Sequence, residues 1–245
     1  MIERVAFRMP WSIVSISRHQ AVRLAPLLAT LLVAACRDAP RSAAADVSYV
    51  DVRKLPPGRN ERSADLMMQA ADRGRALGAD TARVQLFVVG DYQCADCRIW
   101  FDATLPALRA AYIETGKARL AWVHYPLRDH AHSVRAANAA LCASAQAKFW
   151  EASARIFAAQ DRWATAADAS VLLDSLATVS GIDPFVLRNC TESGRMLRQI
   201  RTDIAWADTA RVGAPLMVLV GTRRIPGTAS LITLRAAIDS VIAGK

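Results

Sequence analysis

The feature that most limits what this chain can fold into is Cys94-Ala95-Asp96-Cys97, with the apolar run just ahead of it, Leu86-Phe87-Val88-Val89. The run is short, β-branched and aromatic, which predicts a buried strand. Gly90 and Asp91 end it, and a helical pattern begins at the cysteines. A strand that delivers Cys-x-x-Cys to a helix N-terminus is a setting for thiol–disulfide chemistry. The unpaired N–H groups and the positive end of the helix dipole favour a thiolate on the first sulfur. Cys94 is therefore the expected nucleophile, and Cys97, one turn in and more buried, the resolving cysteine. A Cys-x-x-Cys is also half of a zinc site, but no second pair supplies two more ligands, and His124, His130 and His132 show no metal pattern. The expectation is no metal and no cofactor beyond a redox-active disulfide.

Downstream, Trp100, Phe101, Leu105, Leu108 and Tyr112 recur three or four apart, an amphipathic helix with Pro106 expected to kink it. Gly116 closes it, and residues 119–124 give a second strand. Near the C-terminus, Pro215 precedes the apolar strand 216–220. Gly221-Thr222 is the turn, 223–225 returns antiparallel, and Leu231, Leu234, Ile238 and Val241 mark a last helix. Strand, helix, strand, then hairpin and helix make an α/β layout with one small mixed sheet flanked by helices. Ahead of it, Leu66, Met67, Ala70 and Ala71 predict a helix from about residue 60 to 77, stopped by Gly78.

From Cys97 to Pro215 is 118 positions, far more than a strand and one crossover helix need. The excess predicts an inserted all-helical domain. Its stripes are Ala136, Ala137, Ala140 and Leu141, then Phe149, Trp150, Ile156 and Phe157. Asp183-Pro184 starts a further helix as N-cap and first-turn proline. With 245 residues, 53% of them hydrophobic, the chain can bury such a core. The net charge of +9 falls to +6 once residues 1–36 are set aside, and the signs alternate, so no nucleic-acid partner is expected.

Arg4, Arg8, Arg18 and Arg23 precede an uncharged apolar run over 24–35, about half the roughly 20 residues that span a bilayer. Basic residues, a short apolar core and small residues describe an export signal. Its end, Val33-Ala34-Ala35-Cys36, resembles the bacterial lipoprotein box, which implies lipidation at Cys36 and a membrane anchor. Ordinary cleavage with Cys36 incidental is the alternative. Either way the mature protein is expected outside the cytoplasm, in the cell envelope on the periplasmic side, where disulfides persist. Residues 37 to about 60 lack a clear period and read as a tether, with 47–52 a short edge strand.

The order Asp91-Tyr92-Gln93-Cys94-Ala95-Asp96-Cys97, then Tyr125-Pro126-Leu127 to His130, then Gly213-Ala214-Pro215 before a strand, resembles the DsbA-like branch of the thioredoxin superfamily over about residues 80–243. The resemblance implies a thioredoxin fold split by the insertion. The boundaries are 1–35 signal peptide, 36–59 tether, 60–129 N-terminal helix and first half of the thioredoxin domain, 130–210 helical insertion, and 211–245 second half. It also implies a cis bond at Pro215, with the Ala214 backbone pairing to a bound substrate strand. Setting Cys36 aside, four cysteines remain, and relatives carry cysteines in contexts matching Leu141-Cys142-Ala143 and Cys190. A structural Cys142–Cys190 bond is the expectation, two separate buried thiols the alternative.

Two departures from the family stand out. The spacer is Ala-Asp where strongly oxidising members have Pro and His, and Asp96 places a negative charge near Cys94. Val88 occupies the strand position where relatives bury an acid that shuttles protons to the inner sulfur. Both point to a milder oxidant. The function implied is exchange of the Cys94–Cys97 disulfide with cysteines of exported proteins, reset by an envelope redox partner, with oxidase, isomerase and reductase directions all open. The alternatives are a non-catalytic peptide-binding module of the same fold and a metal-handling lipoprotein. His130 follows Pro126-Leu127 as in relatives, with a helix-capping or surface role the expectation and a place near the site the alternative.

Overall fold

The computed structural model describes residues 66–244. The expected signal, the tether, Cys36 and the edge strand over 47–52 lie outside the described residues. Strand β2 (Val84–Gly90) is the apolar run ahead of the cysteines, and it is central because both its faces find apolar neighbours. It pairs in parallel with β3 (Ala118–His124), from Val84 opposite Ala118 to Gly90 opposite His124. On its other side β4 (Met217–Val220) runs antiparallel, Val89 opposite Met217, and β5 (Arg223–Pro226) closes the hairpin. With β1 (Ala76–Leu77) on β3, the sheet order is β1-β3-β2-β4-β5.

The first helix ends earlier than its periodicity predicts. Helix α1 (Leu66–Gly74) stops early and β1 follows, an element the pattern did not announce. The reason is tertiary. Arg75 is buried, its carbonyl takes the Trp122 N–H, and its guanidinium donates to the Trp122 carbonyl at 3.0 Å and to Asp203. These bonds to β3 and to a distant helix outweigh local helix preference.

The helix after the cysteines also differs from a single kinked rod. It starts as α2 (Ala95–Ile99), widens into a π turn (Trp100–Thr104), narrows at α3 (Leu105–Leu108), and widens again (Arg109–Ile113). The Leu105 N–H reaches five residues back to the Trp100 carbonyl. The wide turn just ahead of Pro106 thus absorbs the missing proline donor without ending the helix.

Six helices fill the gap between β3 and β4: α4 (Ser133–Ser144), α5 (Phe149–Ala158), α6 (Gln160–Trp163), α7 (Ser170–Ala177), α8 (Pro184–Ser193) and α9 (Leu197–Thr209). Asp183 caps α8 as its sequence predicts, accepting from the Phe185 and Val186 N–H groups. Phe157 of α5 lies 4.9 Å from Phe101, 4.8 Å from Tyr92 and 5.7 Å from Trp122, ring centre to ring centre. The inserted helices therefore share one aromatic core with the sheet and the cysteine-bearing helix. Helix α10 (Leu231–Ile242), capped by Ser230, packs on β2 and β4.

Gly90 ends β2 because nothing larger fits. A methyl group there would overlap the Trp122 indole, which is fully buried and cannot move aside. Gly90→Ala is expected to destabilise the fold by about 1–3 kcal/mol through overpacking. Urea unfolding checks this as a lowered midpoint.

Candidate functional site

Cys94 is the N-cap of α2. Its backbone is extended (φ −76°, ψ 122°) and its sulfur accepts the Cys97 N–H at 3.3 Å. It is partly exposed, whereas Cys97 is fully buried and receives the Asp91 N–H at 3.4 Å. These positions give the two thiols different acidities. Cys94 is lowered to about 7, chiefly because the Cys97 thiol donates to its sulfur, helped by the Cys97 N–H and opposed by burial. Cys97 is pushed far above the ordinary thiol range, first by burial and then by its bond to Cys94. One sulfur is a nucleophile at neutral pH, and the other holds its proton until Cys94 is engaged.

Asp91 lies at the centre of the loop that presents Cys94. Its side chain is buried, and its two oxygens take four donors. Oδ1 accepts the Gln93 N–H at 2.7 Å and the Ser133 hydroxyl. Oδ2 accepts the Leu127 N–H at 2.8 Å and pairs with His130 Nδ1 at 2.7 Å. Sequence reasoning quoted Asp91 but gave it no role. The signal present was local, since an Asp accepting from the N–H two residues on makes an Asx turn. Its partners between 36 and 42 residues away carried none.

The inserted helices grip the same loop. Gln160 of α6, itself buried, donates through Nε2 to the Tyr92 carbonyl at 2.6 Å and the Cys94 carbonyl at 3.0 Å. Gln93 donates to the Ala164 carbonyl and accepts the His132 N–H. The Tyr92 hydroxyl meets Ser153 at 2.6 Å, and its own acidity is suppressed by burial. Helices that sequence spacing identified only as an insertion thus hold Cys94 in its cap geometry.

Asp96 is exposed and does oppose the Cys94 thiolate, but Asp91 opposes it more strongly. The weight placed on Asp96 shifts to Asp91, whose charge is desolvated and so less screened. His130 is placed at the site rather than as a surface or capping group. Asp91 raises its affinity for a proton above the ordinary histidine value, with Asp129 and Cys94 adding to the effect.

Ala214 is exposed and Pro215 half-buried in the segment entering β4. Because Met217 pairs with Val89 in an antiparallel register, this segment lies at the end of the sheet that carries Gly90 and the cysteines. The cis peptide joins Pro215 to Leu216, one bond beyond the expected Ala214–Pro215. At that bond the Leu216 carbonyl accepts the Gly227 N–H at 3.0 Å, and its side chain packs over Gly227, where no Cβ intervenes. Cys142 of α4 and Cys190 of α8 form a disulfide with Cα atoms 5.7 Å apart. Among the described residues, no three His, Cys, Asp or Glu side chains are grouped to hold a metal.

This geometry has known counterparts. The "Probable disulfide bond formation protein D" of Bacillus anthracis is 28% identical over 172 residues, covering 67% of this chain and 76% of that protein. The Na(+)/H(+) antiporter NhaA 1 of Salinispora arenicola is 29% identical over 203 residues, covering 78% of this chain, which spans only 29% of the antiporter's length. Among solved structures, oxidised BdbD from Bacillus subtilis superposes with a TM-score of 0.64 at 22% identity, over 70% of this chain and 95% of that one. Chlamydia trachomatis DsbA gives 0.58 at 22%, over 68% and 89%. A family model described as Thioredoxin matches residues 70–240, most of the chain, and the protein belongs to the thioredoxin family.

Proposed function

We propose that the protein is a thiol–disulfide oxidoreductase acting on cysteines of exported proteins in the cell envelope. The observation that carries the reading is the acidity difference between a partly exposed, helix-capping Cys94 and a buried Cys97. A module that only bound peptides would need neither sulfur. The names of proteins similar to it, a disulfide bond formation protein and DsbA, agree with the chemistry.

The exchange runs in two balanced steps. The Cys94 thiolate attacks a client disulfide, its S–S bond breaks, and one client sulfur leaves as a thiolate that takes a proton. Cys97 then gives up its proton and attacks Cys94 Sγ, which releases the second client thiolate and closes Cys94–Cys97. The client has gained two electrons and the protein has lost them. Run backwards, the same steps oxidise a client dithiol and Cys97 departs as the leaving group. The exposed Ala214 backbone beside the cysteine end of the sheet would pair with an extended client strand, and Pro215 would fix that edge. A Cys94 value of about 7 is that of thioredoxin rather than the far lower value of DsbA, which supports a mild oxidant, isomerase or reductase over a strong oxidase. The run Val33-Ala34-Ala35-Cys36 supports lipidation at Cys36, holding the domain at a membrane.

Cys97→Ala tests the reading. The variant keeps the nucleophile and loses the resolving thiol, so mixed disulfides with cellular proteins should accumulate and vanish on reduction. If none forms while Cys94 remains alkylatable, the protein does not exchange disulfides with proteins.

A further inference from the structure

The electrostatics at the cysteine pair carry an imbalance. Two carboxylates, Asp91 and Asp96, oppose a thiolate on Cys94, and the Ala95-Asp96 spacer supplies no cation against them. Arg98 follows on the same helix, but its guanidinium is turned to Asp161 at 2.8 Å. Asp91 is the more consequential of the two carboxylates, because it is fully buried and its backbone N–H lies on the Cys97 sulfur.

The group that meets Asp91 comes from the β3–α4 connection. Pro126-Leu127 leads into a turn closed by the His130 N–H on the Leu127 carbonyl, and the His130 carbonyl accepts the Ser133 N–H at the start of α4. This brings the Leu127 N–H and the His130 ring to one oxygen of Asp91, while Ser133 holds the other. The turn is tied down at both ends, so the ring is held there rather than swinging freely. It is also 23% exposed, so a proton can reach it from water.

We propose that His130 is the cationic positioning residue of the dithiol site, carrying through Asp91 the positive charge that the Cys94-Ala95-Asp96-Cys97 motif lacks. The inference rests on reading Cys94–Cys97 as an exchanging pair and names the residue that sets its poise. Linkage supports it. The charge on Cys94 is among the causes that favour protonated His130, and the coupling is reciprocal, so protonated His130 must favour the Cys94 thiolate by the same amount. The charged and titratable groups facing this pair are Asp91, Cys94, Cys97 and Asp96 from the β2–α2 corner, and Asp129 from the same turn as His130. Buried His132 donates its main-chain N–H to Gln93 and directs its ring to the Ala166 carbonyl, and buried His124 is turned to Asp203. Arg128 is exposed on the turn.

The sign of the pH dependence follows. A histidine whose folded value is raised keeps its charge below that value and loses it as pH rises through it. Support for the thiolate is therefore present in mildly acidic and neutral solution and fades above. The test is the titration of Cys94 in the reduced protein, read as thiolate absorbance without any client, in wild type, His130→Gln and His130→Lys. Glutamine keeps a donor for Asp91 without charge, and should raise the Cys94 midpoint from about 7 by about one unit, leaving roughly eightfold less thiolate at pH 6.5. Lysine should restore the wild-type midpoint and hold it at higher pH. A glutamine variant that titrates as wild type overturns the proposal, and so does a lysine variant that titrates like glutamine. Because no client is involved, these outcomes stand apart from a failure to trap mixed disulfides, which would count against the exchange reading alone.

Discussion

At pH 7, a small alkylating reagent is expected to modify Cys94 of the reduced protein and leave Cys97 untouched, with rates differing by at least about a thousandfold. A value of about 7 leaves roughly half of Cys94 as thiolate at that pH. Cys97 has no exposed surface, sits under the Asp91 N–H, and is held protonated by burial and by its bond to Cys94. The Cys94 rate should climb about tenfold per pH unit in acid and level off above neutrality, because only the thiolate reacts. Peptide mapping after timed labelling gives both rates from one sample. Equal labelling of the two cysteines would mean that the cap geometry does not hold in solution. A midpoint near 8.5, the ordinary thiol value, would mean that the Cys97 donors do not reach the Cys94 sulfur.

Why the pair was legible, and its tuning was not, comes down to range. The strand over residues 84–90, the cap at Cys94 and the hairpin near the C-terminus depend on neighbours within a few positions, and their apolar spacing is written locally. The length between Cys97 and Pro215 was enough to require an insertion, since a chain must put that much polymer somewhere. How the insertion meets the site was not readable, because Gln160 finds Cys94 from 66 residues away and Ser133 finds Asp91 from 42. The absence of an acid at Val88 is legible in the residue itself, but the burial of another carboxylate close by was not. Asp91, three residues further on, turns its carboxylate inward onto the start of α4 instead of outward as its polarity suggests. The same holds for Arg75. A charged residue after a helix reads as solvated, yet it is buried against Asp203 and the Trp122 carbonyl and so ends α1 and starts β1. In each case a buried charge was satisfied by partners that no periodicity encodes.

Removing the Cys142–Cys190 bond is the change expected to cost most stability while sparing the chemistry. The bond joins α4 to α8 across a sequence separation of 48, with α5, α6 and α7 inside the loop. Closing a loop of that length restricts the unfolded chain by about 4 kcal/mol in the chain-entropy view. Both cysteines are buried, so a double change to alanine also leaves a small void. The double variant Cys142→Ala with Cys190→Ala should lose about 2–4 kcal/mol by urea unfolding, and the slope of the transition should rise because the unfolded chain, no longer cross-linked, exposes more surface than in wild type. The active site should keep its geometry as long as the variant is folded, although groups that hold it lie inside the tied loop. Helices α5 and α6 carry Ser153 and Gln160, which hold Tyr92 and the Cys94 carbonyl, and the loop tied by the disulfide contains both. Below the unfolding transition the Cys94 titration should therefore remain near 7, since α4 and α5 still pack through Phe157 onto Trp122 and Phe101. A displaced midpoint in the folded variant would show instead that the disulfide itself sets the geometry of the active-site loop. Mild reductant provides the matching control on the unaltered protein. It should open Cys94–Cys97 through the exposed sulfur while the buried Cys142–Cys190 pair stays closed, so that activity and stability respond to reductant at separate concentrations.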